Sequence, residues 1–134
     1  MTPGTTPPSA HLPPTATPAI RAALRIEGAA IALCALWVYA TTGAGWGVFA
    51  LCLLLPDLAM LGYLRGPRVG ALCYNIAHSY TAPLVLGALA GAAGQPWAIA
   101  MTSLWMVHIG ADRALGYGLK LAAGFKVTHL GRAA

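Results

Sequence analysis

Residues 96–117 read PWAIAMTSLWMVHIGADRALGY, and this stretch carries no formal charge before Asp112. A helix needs about 20 mostly apolar residues to cross about 30 Å of hydrocarbon, because each residue adds about 1.5 Å. The stretch is long enough for that, yet it contains His108 and Asp112 towards its end. It predicts a membrane-spanning helix that carries polar groups at one end.

Three further apolar stretches precede it, at 20–41, 45–64 and 69–91. Of the 134 residues, 58% are hydrophobic and only 8% are charged, whereas soluble domains carry about 25% charged residues. The four stretches and their short connections use nearly all of residues 19–134, so we expect one domain there. The predicted fold class is therefore all-α, as an integral membrane four-helix bundle.

The basic residues predict the orientation of this bundle. They lie at the start of the first stretch, between the second and third, or at and beyond the end of the fourth: Arg21, Arg25, Arg65, Arg68, Arg113, Lys120, Lys126 and Arg132. Basic residues concentrate in cytoplasmic loops, so both termini are expected in the cytoplasm. The net charge of +5 is then consistent with attraction of these basic residues to anionic lipid headgroups. Membrane lipids are the expected partners rather than nucleic acid, and a homo-oligomer remains open.

Two segments outside the helices differ in composition. Residues 1–18 read MTPGTTPPSAHLPPTATP, and such a segment buries too little apolar surface to offset the entropy of ordering it. It is predicted to be a disordered cytoplasmic tail. The segment after the fourth helix alternates apolar, basic and glycine residues, and it is predicted to lie along the cytoplasmic interface.

Ionisable residues occur inside all four predicted helices. Glu27, Asp57, His78, His108 and Asp112 lie roughly 5–15 Å from the cytoplasmic ends, at about 1.5 Å per residue. Such groups are costly in a membrane and usually face the bundle interior. Imidazoles with carboxylates suit zinc or another first-row divalent ion. We predict Asp57, His78, His108 and Asp112 as metal ligands, with Glu27 and Asp57 as catalytic groups that act on a water molecule.

Polar residues near this cluster form a candidate substrate site. Its predicted members are Asn75, Ser79, Arg113, Tyr117, Lys120 and His129. A basic, glycine-punctuated strip can bind a phosphate or carboxylate group. The alternative for this strip is a surface anchor with snorkelling cations. The alternative for the cluster is a set of polar contacts that hold the helices together.

Several stretches together resemble a known family. They are RIEG (25–28), PDLAMLGYLRGPRVGALCYNIAHSY (56–80), HIGADRALGYGLK (108–120) and GFKVTHLG (124–131). They are similar to small bacterial membrane proteins grouped as domain-of-unknown-function family 4260, over about residues 20–132. The resemblance implies a multi-pass protein of the bacterial inner membrane, and it brings no established activity.

A more remote resemblance is to bacterial membrane-bound metal-dependent hydrolases. It rests on Pro56-Asp57, His78-Ser79 and the His108 and Asp112 pair. Two positions depart from that pattern, since Ala59 replaces a second aspartate and no second histidine precedes His78. The resemblance implies a metal-dependent hydrolase with a ligand or base missing, unless Glu27 or His129 substitutes.

Three functions therefore stay open at the level of sequence. The first is a metal-dependent hydrolase of lipid or phosphoester substrates at the cytoplasmic face. The second is a carrier of protons or metal ions, although no inverted repeat is visible. The third is a non-catalytic membrane component.

Overall fold

The computed structural model describes residues 16–122, 127–128 and 130–132. The predicted disorder of residues 1–18 falls almost entirely outside this range. Where the description begins, Thr17 caps the first helix by accepting a hydrogen bond from the Ile20 N–H at 3.4 Å. Pro18 follows at the first helical position, where its missing N–H removes no bond.

The described residues form helices almost throughout, so the all-α prediction is confirmed. The helices are α1 (Pro18–Thr41), α2 (Trp46–Cys52), a 3₁₀ helix (Leu55–Arg65), α3 (Pro67–Ala77), α4 (Thr81–Ala92) and α5 (Pro96–Leu115). Two strands of two residues each, β1 (Val127–Thr128) and β2 (Gly131–Arg132), pair antiparallel after the last helix. Lys120 also forms an antiparallel bridge with Thr128.

The helix α5 lies at the centre of the fold and carries the most buried residues. Its Ala100 and Leu104 form the core together with Tyr39 of α1. Gly28 of α1 and Gly110 of α5 meet where these two helices cross. A Cβ atom on Gly110 would lie 2.7 Å from the carbonyl oxygen of Gly28, so the two backbones are in direct contact. Small residues permit this close approach of helices.

The stretch 69–91, expected as one helix, is divided at His78–Tyr80 into α3 and α4. Pro83 has no N–H to donate to the Ser79 carbonyl, so the helical ladder cannot continue there. Two side chains of α5 bond to carbonyls at the break instead. The Trp105 indole N–H donates to Ala77 at 2.6 Å, and Arg113 donates to His78 at 3.2 Å. These bonds hold the backbone on either side of His78.

The second expected helix also changes character along its length. It begins as α2, and from Leu55 it continues as an 11-residue 3₁₀ helix with Pro56 at its start and Asp57 in its first turn. Such helices rarely exceed three or four residues and often mark functional positions. Two segments, Pro18–Thr41 and Trp46–Arg65, are long and apolar enough to cross a membrane.

Candidate metal centre

Four predicted ligands from three parts of the chain meet in one place. Asp57 of the 3₁₀ helix, His78 at the break, and His108 and Asp112 of α5 each offer one ligand atom. These four atoms all lie within 4.8 Å of one another. The two histidines are buried and the two carboxylates are partly exposed. The sequence-based grouping of these four residues therefore matches the structure.

The separations between the ligand atoms resemble the edges of a tetrahedron. His78 Nε2 lies 3.3 Å from Asp57 Oδ1, 3.5 Å from Asp112 Oδ2 and 3.2 Å from His108 Nε2. His108 Nε2 lies 3.5 Å from Asp57 Oδ1 and 4.0 Å from Asp112 Oδ2. A tetrahedral ion with bonds of about 2.0–2.2 Å has ligand separations of about 3.3–3.6 Å. Four of these five distances are within about 0.1 Å of that range, and the separation between the two carboxylate oxygens is within the 4.8 Å limit of the group. The two imidazoles and Asp57 therefore have the spacing of ligands to a divalent ion, and Asp112 must move closer to join them.

The tautomer of His78 also suits an ion. Its Nδ1 lies 3.0 Å from the carbonyl oxygen of Tyr74. A carbonyl only accepts hydrogen bonds, so Nδ1 carries a proton, and in the neutral form of the ring Nε2 presents its lone pair to the cluster. Metal-bound histidines are usually fixed in this way, with the other ring nitrogen donating to a carbonyl or carboxylate.

Tyr74 supports two of the ligands, and the sequence analysis did not single it out. Its ring stacks on that of His78 with centroids 3.7 Å apart, and its hydroxyl donates to Asp112 Oδ2 at 3.2 Å. The spacing was a usable signal, because Tyr74 lies four residues before His78 and such pairs share a helix face. The contact with Asp112 of α5 needed the tertiary structure.

Lys120 places a cation next to this group. Its side chain is only 9% exposed, and its ammonium lies 4.7 Å from the centroid of the Tyr74 ring. Burial lowers the pKa of Lys120, while the negative charges of Asp112 and Asp57 act in the opposite direction. The amide of Asn75 holds the Lys120 backbone through bonds of 2.9 and 2.7 Å. Asn75, which was predicted to bind substrate, thus fixes the backbone of the segment after α5 at Lys120.

The other predicted substrate-binding residues are placed less directly. Arg113 donates to the backbone carbonyls of Tyr117 at 3.0 Å and of His78 at 3.2 Å, so it ties the loop to the helix break. The Tyr117 side chain is exposed. The Ser79 hydroxyl accepts from the Thr81 N–H at 3.3 Å at the start of α4. His129 lies outside the described residues.

Glu27 does not join the metal group, although it was predicted as a base or further ligand. Its side chain is exposed on α1. It lines a separate cavity of about 80 Å³ together with Tyr80 and Arg113. The neighbouring residue Gly28 faces α5, and the step of about 100° per residue along a helix turns Glu27 away from that contact.

Comparison with known proteins gives one match. A family model described as "Domain of unknown function (DUF4260)" covers residues 21–133. The chain belongs to this family. No curated protein and no solved structure matches the chain significantly. The four clustered residues of this DUF4260 protein lie inside the matched range, and the remote resemblance to metal-dependent hydrolases stays a hypothesis.

Proposed function

We propose that this DUF4260 protein is a membrane enzyme that holds a divalent metal ion and hydrolyses a phosphoester at the cytoplasmic face. The observation that carries the proposal is the group of Asp57, His78, His108 and Asp112, whose four ligand atoms all lie within 4.8 Å of one another.

Membrane insertion is supported by the apolar surface of the helices. The core helix of a soluble protein is mostly buried. In the two candidate spans, by contrast, only 17% and 0% of the residues in the apolar part of the helix are buried. Large apolar side chains face outward, among them Leu51 at 80% and Leu64 at 85% exposed. Contiguous apolar surface of this kind is typical of membrane or protein contacts.

The orientation follows from the basic residues together with the packing. The start of α1 and the end of α5 lie at the same end of the molecule, because the Arg25 side chain donates to the Ala114 carbonyl at 2.8 Å. Lys120 follows at that end. We assign this end to the cytoplasm, because cytoplasmic segments carry the excess of Lys and Arg. The metal centre then lies near the inner leaflet surface.

The chemistry of the four ligands favours zinc or another first-row divalent ion. Imidazole suits these ions, and a carboxylate completes many catalytic zinc sites. A bound divalent ion supplies Lewis-acid chemistry, lowering the pKa of water and neutralising charge on a phosphoryl group. In the proposed centre His78, His108 and Asp112 hold the ion. Tyr74 fixes Asp112 and stacks on His78.

Asp57 is the best placed residue to accept a proton. It is the more exposed of the two carboxylates, with a side chain 32% accessible against 21% for Asp112. In the proposed reaction the oxygen of a water molecule bonds to phosphorus as Asp57 takes the water proton. The bond from phosphorus to the alcohol oxygen breaks, and the same proton passes to the departing alkoxide. Phosphate and an alcohol are the products.

The charges around the centre suit an anionic substrate. A divalent ion neutralises the two carboxylates, and Lys120 and Arg113 then leave the surroundings positive. The ammonium of Lys120, which lies beside the Tyr74 ring, is one candidate for a contact with a phosphate oxygen. Arg113 is engaged with two carbonyls, and it contributes mainly through its charge and by fixing the loop.

Matched carboxylate variants test the assignment. Asp57→Asn and Asp112→Asn remove one negative charge each with almost no change in shape. The zinc content of purified protein and the hydrolysis of p-nitrophenyl phosphate are then measured. We expect Asp112→Asn to lose zinc, and Asp57→Asn to keep zinc but lose hydrolysis by about 100-fold or more.

Two other results of these zinc measurements would indicate a different role for the four residues. If Asp57→Asn loses zinc and thermal stability as completely as Asp112→Asn, the centre is a closed four-ligand structural site. If the parent protein binds no divalent ion at all, the four residues are a packing cluster, and the proposed function is wrong.

A further inference from the structure

An apolar groove is formed by elements that also carry members of the metal group. Its volume is about 440 Å³, and it lies between the 3₁₀ helix and α5, with Ala77 at the end of α3. Leu55 and Ala59 form one wall, and Met101 and Trp105 form the other. The lining is apolar apart from the indole N–H of Trp105, which is bonded to the Ala77 carbonyl.

The groove lining on α5 shares a helix face with His108, and two other lining residues adjoin members of the metal group in sequence. On α5, Met101, Leu104 and Trp105 precede His108 by seven, four and three residues. Residues at these spacings share one helix face, so the apolar stripe of α5 runs directly into His108. On the other elements, Pro56 of the lining precedes Asp57, and Ala77 precedes His78.

A second apolar groove, of about 590 Å³, lies between α1, α4 and α5 and serves as an internal comparison. Its lining on α5 includes Ser103 and Met106. These precede His108 by five and two residues, which places them on other faces of the helix. Although this groove is larger, its lining includes no neighbour in sequence of the four metal-group residues.

We propose that the groove between Ala59 and Trp105 holds the acyl chain of a lipid whose phosphate headgroup lies at the metal centre. This inference rests on the proposed function and names its substrate class. The groove lies within the apolar part of the bundle, while the ammonium of Lys120 is beside the centre at its cytoplasmic end. An amphiphile with an anionic head and an apolar chain matches both.

The two parts of such a lipid contribute differently. Membrane lipid tails are as apolar as the groove, so burying the chain there gains little free energy by itself. The headgroup supplies the affinity through the ion and Lys120. The acyl chain determines the orientation of the bound lipid, because a lipid in this groove presents its phosphate to the metal centre from the membrane side. Binding is therefore expected to be saturable and to require the metal.

Fluorescence of Trp105 reports on this groove directly. The other three tryptophans are replaced, as Trp37→Phe, Trp46→Phe and Trp97→Phe. The zinc-loaded protein also carries Asp57→Asn, which is expected to keep zinc without hydrolysing the lipid. In detergent micelles it is titrated with lysophosphatidic acid carrying a brominated acyl chain, because bromine quenches tryptophan at contact. We expect quenching that saturates at one lipid per protein. Brominated lysophosphatidylcholine, whose phosphate is blocked by choline, is expected to give only weak quenching that follows its mole fraction in the micelle.

Filling the groove provides the matched comparison. Ala59→Phe places a larger side chain in the groove, and Ala88→Phe does the same in the second groove. We expect Ala59→Phe to weaken lysophosphatidic acid binding by roughly tenfold with unchanged zinc content, and Ala88→Phe to leave it unchanged. Ala59→Leu, a smaller change, is expected to show a smaller loss and covers the case in which the phenylalanine variant does not fold.

Two results would overturn the inference separately from the proposed function. Zinc retained in the parent, together with quenching that never saturates, would remove the lipid site and leave the metal centre in place. Saturable quenching that Ala59→Phe and Ala59→Leu leave unchanged would place the lipid elsewhere. A parent protein that holds no zinc would overturn both proposals.

Discussion

Replacing Tyr74 by phenylalanine tests whether the surroundings of the four ligands are built for a metal. The variant keeps the ring that stacks on His78 but removes the hydroxyl that donates to Asp112 Oδ2 at 3.2 Å. Outer partners of metal ligands typically contribute 10–100-fold in affinity, about 1.4–2.7 kcal/mol. Strong bonds from a hydroxyl to a carboxylate are about 2.5–2.7 Å long. Because the bond from Tyr74 to Asp112 is longer, at 3.2 Å, we expect an effect at the lower end of the 10–100-fold range, which is a loss of about tenfold in zinc affinity.

The affinity is measured by competition with a fluorescent zinc chelator at fixed pH. Tyr39→Phe is the matched control, because it removes a tyrosine hydroxyl that donates to the Gly45 carbonyl at 2.7 Å, away from the metal group. This control is expected to cost about 1 kcal/mol of stability and to leave zinc affinity unchanged. Equal affinities for parent and Tyr74→Phe protein, or equal losses in both variants, would refute the supporting role of Tyr74.

Two further predictions concern the structure around the site. Gly110→Ala places a Cβ 2.7 Å from the Gly28 carbonyl oxygen, and it is expected to destabilise the protein by about 1–3 kcal/mol. Gly91→Ala is the control, because its Cβ would meet no atom within 4 Å, and it should leave the thermal midpoint unchanged or slightly higher. Equal shifts of the thermal midpoint in the two variants would contradict the close crossing of α1 and α5. Asn75→Ala removes both bonds to the Lys120 backbone, so trypsin should cleave after Lys120 faster than in the parent; an unchanged rate would show that Asn75 does not hold this loop.

The depth of a residue along a helix was predictable from the sequence, whereas its direction around the helix was often not. Asp57, His78, His108 and Asp112 were grouped by depth, and the structure brings them together. Glu27 was grouped by depth alone, but it is exposed on α1. Its direction depends on the crossing of α1 over α5, which is a tertiary contact.

The break at His78 shows a second limit. The stretch 69–91 was expected as one helix, but the structure divides it into α3 and α4. Trp105 and Arg113 of α5 bond to the carbonyls of Ala77 and His78 at the break. Contacts between residues 28 and 35 positions apart leave no periodic signal in the chain. For the same reason Tyr74 was missed as a partner of Asp112.

X-ray absorption spectroscopy of the purified, zinc-exposed protein shows whether a metal ion is bound by the four grouped residues. We expect stoichiometric zinc with nitrogen and oxygen ligands at about 2.0–2.2 Å and the multiple-scattering signal of two imidazoles. Sulfur is not expected, because Cys34, Cys52 and Cys73 are outside the metal group. His108→Ala should lose the metal and remain helical. Protein that holds no stoichiometric ion, or zinc with sulfur at about 2.3 Å, would contradict the account.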